Sequence, residues 1–379
     1  MELPDSAGAG KSGLAGYQRP LPIALHKGNA YISRPDGLEI TNVLKNVPVT
    51  LMVRPKHQPV TKLDNLSGVS ADNPAEAPLV SSTGGKTLVF NALVTEVPGS
   101  GTTKGYDAVE LMATSTSTLK KSWSVEIKLT EEDEWADDRD EAYVVGRSGD
   151  TVVIYARGEL LGVSLKTHKR VWSDHWYKPR PLVVGDTLVA VTNDEGSDDQ
   201  VVGFDATTGR RLWKSPRVSV AGSEPGLVAM GPDSVMADEY ADDSEEDERY
   251  FVLDSATGRK RRIVPEDAVT SDCTYDGVSV TVCSGSEGWG SEVAGYDSHS
   301  GKELWKLPDE SANRIAPKVT LVRQGLVYGE TKSGDVVLDA RTGRDKETKP
   351  GIAPVVCDGY VGISQTLHGA GYSAYRAVR

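Results

Sequence analysis

Residues 203–213 read GFDATTGRRLW, and residues 295–305 read GYDSHSGKELW. Both stretches run from an apolar segment through Asp and Gly to a closing tryptophan, Trp213 in the first and Trp305 in the second. The spacing recurs at two earlier tryptophans, Trp123 in ATSTSTLKKSW and Trp172 in GVSLKTHKRVW. A pattern that returns every ~45 residues indicates a repeat architecture.

Two further copies keep the turn but lose the tryptophan. They are VLDSATGRKRR at 252–262, with Arg262 in the tryptophan position, and VLDARTGRDKE at 337–347. The motif matches well in two copies and loosely in four, and the four copies that keep its turn share Asp205, Gly209, Asp254, Gly258, Asp297, Gly301, Asp339 and Gly343. In the two N-terminal copies Ser115 and Ser164 stand in the Asp position, and Leu119 and His168 in the Gly position. We therefore expect those two turns to be built differently.

Each copy has the composition of a β-hairpin. An Asp side chain accepts hydrogen bonds from amides two or three residues ahead, and Gly supplies the positive φ that closes the turn. A second strand pair precedes each hairpin, for example in PLVVGDTLVAVT at 181–192. Four antiparallel strands per repeat describe a propeller blade. We expect each tryptophan to pack against the neighbouring blade, burying apolar surface worth about 2–3 kcal/mol.

The pattern D-x-x-[TS]-G-x-x-x-W resembles the repeat of the pyrroloquinoline-quinone (PQQ) type β-propeller family over about residues 80–379. The resemblance and the strand pattern predict an all-β β-propeller of four-stranded antiparallel blades. A repeat of ~45 residues between residue 83 and the end predicts seven blades, with eight as the alternative. The last unit, 353–378, contains only three recognisable strands, so we expect a strand from 29–53 to close it. The predicted domains are a flexible tether at 1–18 and one propeller domain at 19–379.

Composition narrows the function. The chain has 42 basic and 55 acidic residues, a net charge of -13, which argues against binding nucleic acid. No apolar run reaches the length of a membrane span. The Gly/Ala/Ser-rich opening lacks a signal peptide, and we expect the chain to be the processed, monomeric part of a secreted or lipid-anchored bacterial protein. Peripheral membrane association would then come from a removed anchor, and the location would be extracytoplasmic.

The candidate chemistry is sparse. The resemblance implies a quinone held with calcium, a catalytic aspartate and two adjacent cysteines, but the three cysteines, Cys273, Cys283 and Cys357, include no adjacent pair. Cys273 and Cys283 could form a disulfide across neighbouring strands or remain buried thiols. The six histidines are scattered singly, and no calcium-loop motif is present. We therefore predict a chain that is not an enzyme, with no catalytic residue, no PQQ, no calcium and no other metal.

Blade topology places three acidic segments, 131–141, 193–200 and 237–249, on the face opposite the Asp-Gly turns. The remaining tryptophans fall in segments assigned to the same face, where aromatic and acidic side chains together suit a basic or cationic protein partner. Solvated loops and tryptophans packed on their own blades are the alternatives. The binding-face candidates are Trp135, Trp176, Trp289, Asp137, Asp138, Asp198, Asp199, Asp242 and Asp243.

These features favour a non-enzymatic, extracytoplasmic binding scaffold of the cell envelope. A PQQ-dependent oxidoreductase is the first alternative, and the sensor domain of a membrane kinase is the second.

Overall fold

The computed structural model describes residues 21–45, 50–60, 76–130, 142–192, 199–215, 227–240, 248–264, 272–285, 292–365 and 371–377. These residues form eight successive antiparallel sheets, and their only helix is a single 3-10 turn at Glu310–Ala312. The fold class is all-β, with four-stranded antiparallel blades of the β-propeller kind, as the repeat predicts. We number the sheets blade 1 to blade 8 in chain order. Two compact units contain them, one with residues up to 175 and from 356 onward, the other with residues 176–355.

The prediction of seven blades is wrong, because the N-terminal segment that was expected to close the last sheet forms a sheet of its own. Blade 1 consists of β1 (Ile23–His26), β2 (Asn29–Arg34), β3 (Gly37–Asn42) and β4 (Thr50–Val53). Its third strand ends at Asn42 with neither the Asp-x-x-Thr-Gly turn nor the tryptophan, so the repeat pattern does not reveal it. The Asn42 side chain instead accepts a hydrogen bond from the amide of Leu44 at 3.2 Å.

Blades 2 and 3 follow in the same compact unit. Blade 2 is β5 (Gln58–Pro59), β6 (Leu79–Thr83), β7 (Lys86–Val97), β8 (Tyr106–Ser115) and β9 (Lys121–Lys128), and blade 3 is β10 (Ala142–Ser148), β11 (Thr151–Ala156), β12 (Glu159–Ser164) and β13 (Lys169–Asp174). The long strand β7 pairs with β5 near one end, with β6 near the other, and with β8 along its length. Buried side chains of the two blades, including Phe90, Leu111 and Ile154, form one hydrophobic cluster.

The second compact unit contains four regular blades. They are blade 4, β14 (Leu182–Val184), β15 (Thr187–Val191), β16 (Val201–Asp205) and β17 (Arg211–Lys214); blade 5, β18 (Val228–Ala229), β19 (Ser234–Tyr240), β20 (Glu248–Asp254) and β21 (Lys260–Val264); blade 6, β22 (Asp272–Tyr275), β23 (Val280–Ser284), β24 (Val293–Asp297) and β25 (Glu303–Leu307); and blade 7, β26 (Lys318–Arg323), β27 (Leu326–Thr331), β28 (Gly334–Asp339) and β29 (Asp345–Glu347). Apolar clusters join each blade to the next.

Blade 8 returns to the first unit with three described strands, β30 (Val356–Cys357), β31 (Val361–Gln365) and β32 (Tyr372–Arg376). Strand β30 lies against β1 of blade 1. The Arg376 guanidinium donates to the carbonyl oxygen of Leu44 at 3.3 Å. The first and last blades are therefore neighbours, and the described strands of blade 1 do not enter the sheet of blade 8.

The structure settles the state of two cysteines that the sequence leaves open. Cys273 on β22 and Cys283 on β23 are directly paired residues of adjacent strands and form a disulfide. Both are buried beside Met236 and Tyr296, between blades 5 and 6. Across the described ranges, no helix has the length and apolar character needed to cross a bilayer.

Candidate functional site

The Asp-x-x-Thr-Gly turns hold the glycine and carbonyl groups that contact the preceding blade. At the end of β16, Asp205 Oδ1 accepts hydrogen bonds from the amides of Thr207 at 3.0 Å and Thr208 at 2.8 Å. The Gly209 amide donates to the Asp205 carbonyl oxygen at 2.8 Å, and Gly209 has a φ of 70°. Only a residue tolerant of the left-handed region closes this turn without strain.

These hydrogen bonds from backbone amides lower the pKa of the turn aspartates. The hydrogen bond from the Thr208 amide is the main cause that lowers the pKa of Asp205, and the Ser300 amide does the same for the pKa of Asp297. Each carboxylate is therefore engaged by its own turn, and the aspartates of this pattern stabilise backbone geometry.

The two N-terminal turns reach the same geometry with other residues. Leu119 and His168 adopt left-handed conformations, with φ of 56° and 52°, and their amides donate to the carbonyls of Ser115 and Ser164 at 2.9 Å each. The Ser115 hydroxyl oxygen accepts from two amides ahead at 3.3 Å, in place of a carboxylate. The left-handed Leu and His carry a steric cost that Gly avoids.

Two of the repeated tryptophans, Trp213 and Trp305, lie in sockets formed by two successive blades. Trp213 on β17 lies so close over Gly203 of its own blade that a β-carbon there would collide with the indole. Its other side faces Gly258, in the turn of blade 5, and its Nε1 donates to the Ser255 carbonyl oxygen at 2.7 Å.

Blades 6 and 7 repeat this arrangement. Trp305 lies over Gly295, faces Gly343, and donates to the Ala340 carbonyl oxygen at 2.7 Å. A socket thus consists of a small residue under the ring, a turn glycine opposite it, and a carbonyl acceptor three residues before that glycine in the same turn. The indole fills the space between two sheets and satisfies its only polar group.

A variant of the socket joins blades 2 and 3. Trp123 pairs across the strands with Ala113 and stacks on the His168 imidazole, with centroids 4.1 Å apart and planes at 19°. The side chain that replaces the turn glycine therefore takes part in the packing. In blade 3, Trp172 covers Gly162 in the same way that Trp213 covers Gly203.

The junction of blades 5 and 6 departs from this pattern. Val252 pairs with Arg262 at the register position where Gly203 pairs with Trp213, so both the small residue and the indole are absent. A cavity of ≈ 90 Å³ lies there, bounded on one side by Val252 and Arg261 and on the other by the blade 6 turn from Asp297 to Gly301.

The charged groups at this cavity are paired. The Arg261 guanidinium donates to Asp233 at 2.8 Å and to Asp254 at 2.5 Å, which raises the pKa of Arg261 and anchors it on blade 5. Asp297 accepts from the Ser300 hydroxyl at 2.9 Å and lies 3.5 Å from Arg341. Each of these charged groups therefore has a partner, and the three carboxylates exceed the two guanidiniums by one negative charge.

One buried polar group at the cavity lacks a hydrogen-bond partner among the described residues. The side-chain oxygen of Ser234, a residue 1% exposed, lines the cavity and has no hydrogen-bond partner among the described residues. The neighbouring Thr281 hydroxyl, by contrast, donates to the Met230 carbonyl oxygen. A buried hydroxyl without a partner costs about 1–3 kcal/mol and marks a place where a polar ligand atom or water would be favourable.

The family follows from the sequence that carries these turns and sockets. Residues 112–344, more than half of the chain, match the family model described as outer membrane protein assembly factor BamB. The chain belongs to the BamB family. Membership confirms the PQQ-type propeller repeat that the turn pattern predicts. No curated protein matches the chain.

Solved structures of several kinds resemble this member of the BamB family. BamB from Moraxella catarrhalis is 14% identical, with 94% of each chain covered and a TM-score of 0.48. The quinohemoprotein alcohol dehydrogenase from Comamonas testosteroni is 12% identical over 92% of this chain and 69% of that chain, with a TM-score of 0.45. Sqt1 from Saccharomyces cerevisiae is 13% identical over 94% and 95%, with a TM-score of 0.46. Likenesses of this degree carry no statement about function.

Most of the predicted acidic binding face lies outside the described residues, namely Trp135, Trp289, Asp137, Asp138, Asp198, Asp242 and Asp243. Trp176 is described, with a side chain 44% exposed and a φ of 75°. Asp199 is half-buried and paired with Lys178 at 2.5 Å, so its carboxylate is not a free acidic group. Within the described part the structure places Trp176 at the surface and leaves the binding role of this face a prediction.

The described residues offer no recognisable site for the quinone and calcium that the family resemblance implies. Within the described ranges, no three His, Cys, Asp or Glu side chains converge on a possible metal position. The disulfide joins residues ten apart in sequence, whereas the quinone enzymes use adjacent cysteines, as the family resemblance implies. We derive no chemistry through that cofactor, and its absence stays a prediction.

The cavity is the feature that sequence reasoning missed. A signal for it was present, because Arg262 stands in the tryptophan position and Val252 in the glycine position. Repeat alignment reveals such a double replacement, but not whether neighbouring side chains fill the space that the indole leaves.

Proposed function

We propose that this chain is a non-enzymatic, extracytoplasmic scaffold of the bacterial cell envelope that binds other proteins. Membership of a family whose name describes an outer-membrane assembly factor carries the proposal. Propeller blades expose many loops on a rigid frame, which suits protein recognition. In this proposal the chain acts as a monomer that a lipid anchor holds at the membrane.

The disulfide supports an extracytoplasmic location. Disulfides persist in oxidising compartments such as the periplasm and the cell surface, and they are rare in the reducing cytosol. The Cys273–Cys283 bond lies in the buried contact between two blades, where it is part of the folded core. Fractionation of cells, followed by thiol labelling of the recovered protein, tests this point. Recovery from the cytosol with Cys273 and Cys283 both reduced would contradict it.

The partner-binding face is tested by capture from isolated envelopes. The purified chain is compared with a variant in which Trp135, Trp176 and Trp289 are all changed to Ala, using quantitative mass spectrometry of cross-linked partners. We expect the variant to lose partners, because it lacks the aromatic contacts of the proposed face. Capture of those partners by the parent chain should weaken with rising salt, because acidic loops attract basic proteins through screened charge interactions.

A matched control replaces two apolar residues on outer strands, Val171 and Leu212, which are 51% and 37% exposed. This Val171→Ala, Leu212→Ala variant should capture the same partners as the parent chain. Identical partners for the triple-tryptophan variant would rule out the acidic face, and capture of none by the parent chain would rule out the scaffold.

A further inference from the structure

The cavity between blades 5 and 6 has the walls of a tryptophan socket without the tryptophan. In the two complete sockets of this unit, the blade that follows supplies a turn glycine and a carbonyl acceptor, Gly258 with Ser255 and Gly343 with Ala340. In blade 6 the corresponding turn residues are Gly301 and Ser298, and both border the cavity. The two complete sockets therefore show which kind of side chain the blade 6 turn can accommodate.

The surrounding groups favour a flat, uncharged ring. Among the described residues, each charged group at the cavity already has a partner of opposite sign, because two carboxylates hold Arg261 and Asp297 is engaged by Ser300 and Arg341. A guanidinium fixed in this way offers a planar face for stacking on an aromatic ring. The remaining hydroxyl, Ser234 Oγ, is buried and lacks a partner among the described residues.

The size of the cavity limits how such a ring enters. Its volume is ≈ 90 Å³, smaller than the cavity of about 150 Å³ that encloses benzene in another protein. The isopropyl group of Val252 stands where Gly203 and Gly295 leave room for a whole indole. A ring that comes from outside would therefore insert its edge, with the rest of it beside His299, whose side chain is 85% exposed.

We infer that the cavity between blades 5 and 6 binds an aromatic side chain, of the tryptophan type, from a protein partner. The ring edge lies between Val252 and Gly301, and its N–H faces the polar groups of Ser298 and Ser234. This inference rests on the proposed scaffold function and names the chemistry by which one partner is held. Buried aromatic anchors that fill a pocket commonly dominate the energy of such interfaces.

The test uses N-acetyl-tryptophanamide as the probe and N-acetyl-alaninamide as its control, titrated into the full chain and followed by amide NMR. We expect saturable shifts at the amides of Ser298 to Gly301 with the tryptophan probe alone. Val252→Ala enlarges the cavity and should tighten binding of the probe about tenfold. Equal shifts with both probes, or saturable shifts only elsewhere, would overturn the inference.

A second variant fills the cavity with the chain's own indole. Val252→Gly combined with Arg262→Trp reproduces the residue pair of the complete sockets, and it should weaken binding of the probe by at least about tenfold while raising the thermal midpoint. Unchanged probe affinity in this folded variant contradicts the inference. If the double variant does not fold, Val252→Ala decides, because a socket predicts tighter binding and an unrelated surface predicts no change.

Envelope capture separates this inference from the proposed function. Loss of a partner in the filled variant, with other partners retained, supports the inference. Full retention of every partner overturns the inference and leaves the scaffold standing. Specific binding of the probe with no protein partner captured by either chain overturns the scaffold, and the cavity would then be a site for a small aromatic ligand.

Discussion

At the scale of single residues, the two complete sockets place an indole between two glycines. Trp213 shows why the pattern repeats: the ring needs Gly203 beneath it, Gly258 opposite it and a carbonyl for its N–H. These three requirements are met by positions on two different blades. Sequence spacing therefore records a contact between sheets, which makes the repeat readable without a structure.

Trp213 should contribute far more to the free energy of unfolding than Leu212, its neighbour on the same strand. Trp213→Ala removes both the ring packing and the hydrogen bond to Ser255, and we expect a loss of about 3 kcal/mol in the free energy of unfolding. Leu212→Ala removes a side chain that is 37% exposed and should cost less than about 1 kcal/mol. Chemical denaturation of both variants measures the difference, and equal losses would show that the socket does not hold blades 4 and 5 together.

The turn carboxylates make stability depend on acid. The pKa of Asp205 is lowered chiefly by the Thr208 amide, so its contribution is present above the unfolded-state pKa of about 3.9 and is lost as the pH falls through the lower folded-state pKa. Asp205→Asn removes the charge and keeps an acceptor. We expect the parent chain to be more stable than this variant at pH 7 and the gap to shrink below about pH 4. Thermal midpoints across pH measure it; a gap that is constant with pH would exclude a charge effect.

Turn residues also show where sequence reasoning stops. The turn aspartates can be predicted from the sequence, because each accepts a hydrogen bond from a backbone amide of its own turn. They are Asp205, Asp254, Asp297 and Asp339. The sequence does not predict that the His168 ring stacks on Trp123, because the same left-handed position holds Gly in four other copies and Leu119 in one. The cavity beside Val252 is a property of three-dimensional packing and is visible only once both blades are in place.

At the scale of elements, the disulfide links the first two strands of blade 6, β22 and β23. Cys273 and Cys283 are already paired by the sheet, so the bond adds little to the folded state. Its main effect is to restrict the conformations of the unfolded chain. We expect Cys273→Ala combined with Cys283→Ala to lower the free energy of unfolding by about 2–3 kcal/mol. Cys357→Ala, at the cysteine outside the disulfide, should change it by less than about 1 kcal/mol.

Denaturation under oxidising and reducing conditions provides the check. The parent chain should approach the stability of the double variant when a reductant is added, and the double variant should not respond. A response of both proteins of equal size would place the redox effect elsewhere in the chain.

At the scale of the whole molecule, the count of eight blades depends on a segment with no repeat signature. Blade 1 lacks the Asp-x-x-Thr-Gly turn and the tryptophan, so counting by repeats omits it. Its strands carry buried apolar residues instead, including Tyr31, Leu38 and Ile40, and these pack with Val89 and Met112 of blade 2. The sequence predicts a closing strand in 29–53, but only the sheet order shows that strands of this segment pair with each other.

Deleting blade 1 distinguishes a true blade from an appendage. Removal of residues 1–53 uncovers Val89 and Met112, both 0% exposed in the intact chain, and takes away the strand against which β30 lies. We expect this deletion to abolish cooperative thermal unfolding and to cause aggregation, because newly exposed apolar surface costs about 25 cal/mol per Å². Removal of residues 1–18, the predicted tether, should leave the midpoint within about 2 °C of the parent value. Calorimetry and light scattering on both truncations measure these outcomes. A deletion of 1–53 that unfolds cooperatively at the parent temperature would mean that seven blades suffice, and that blade 1 contributes neither core nor closure.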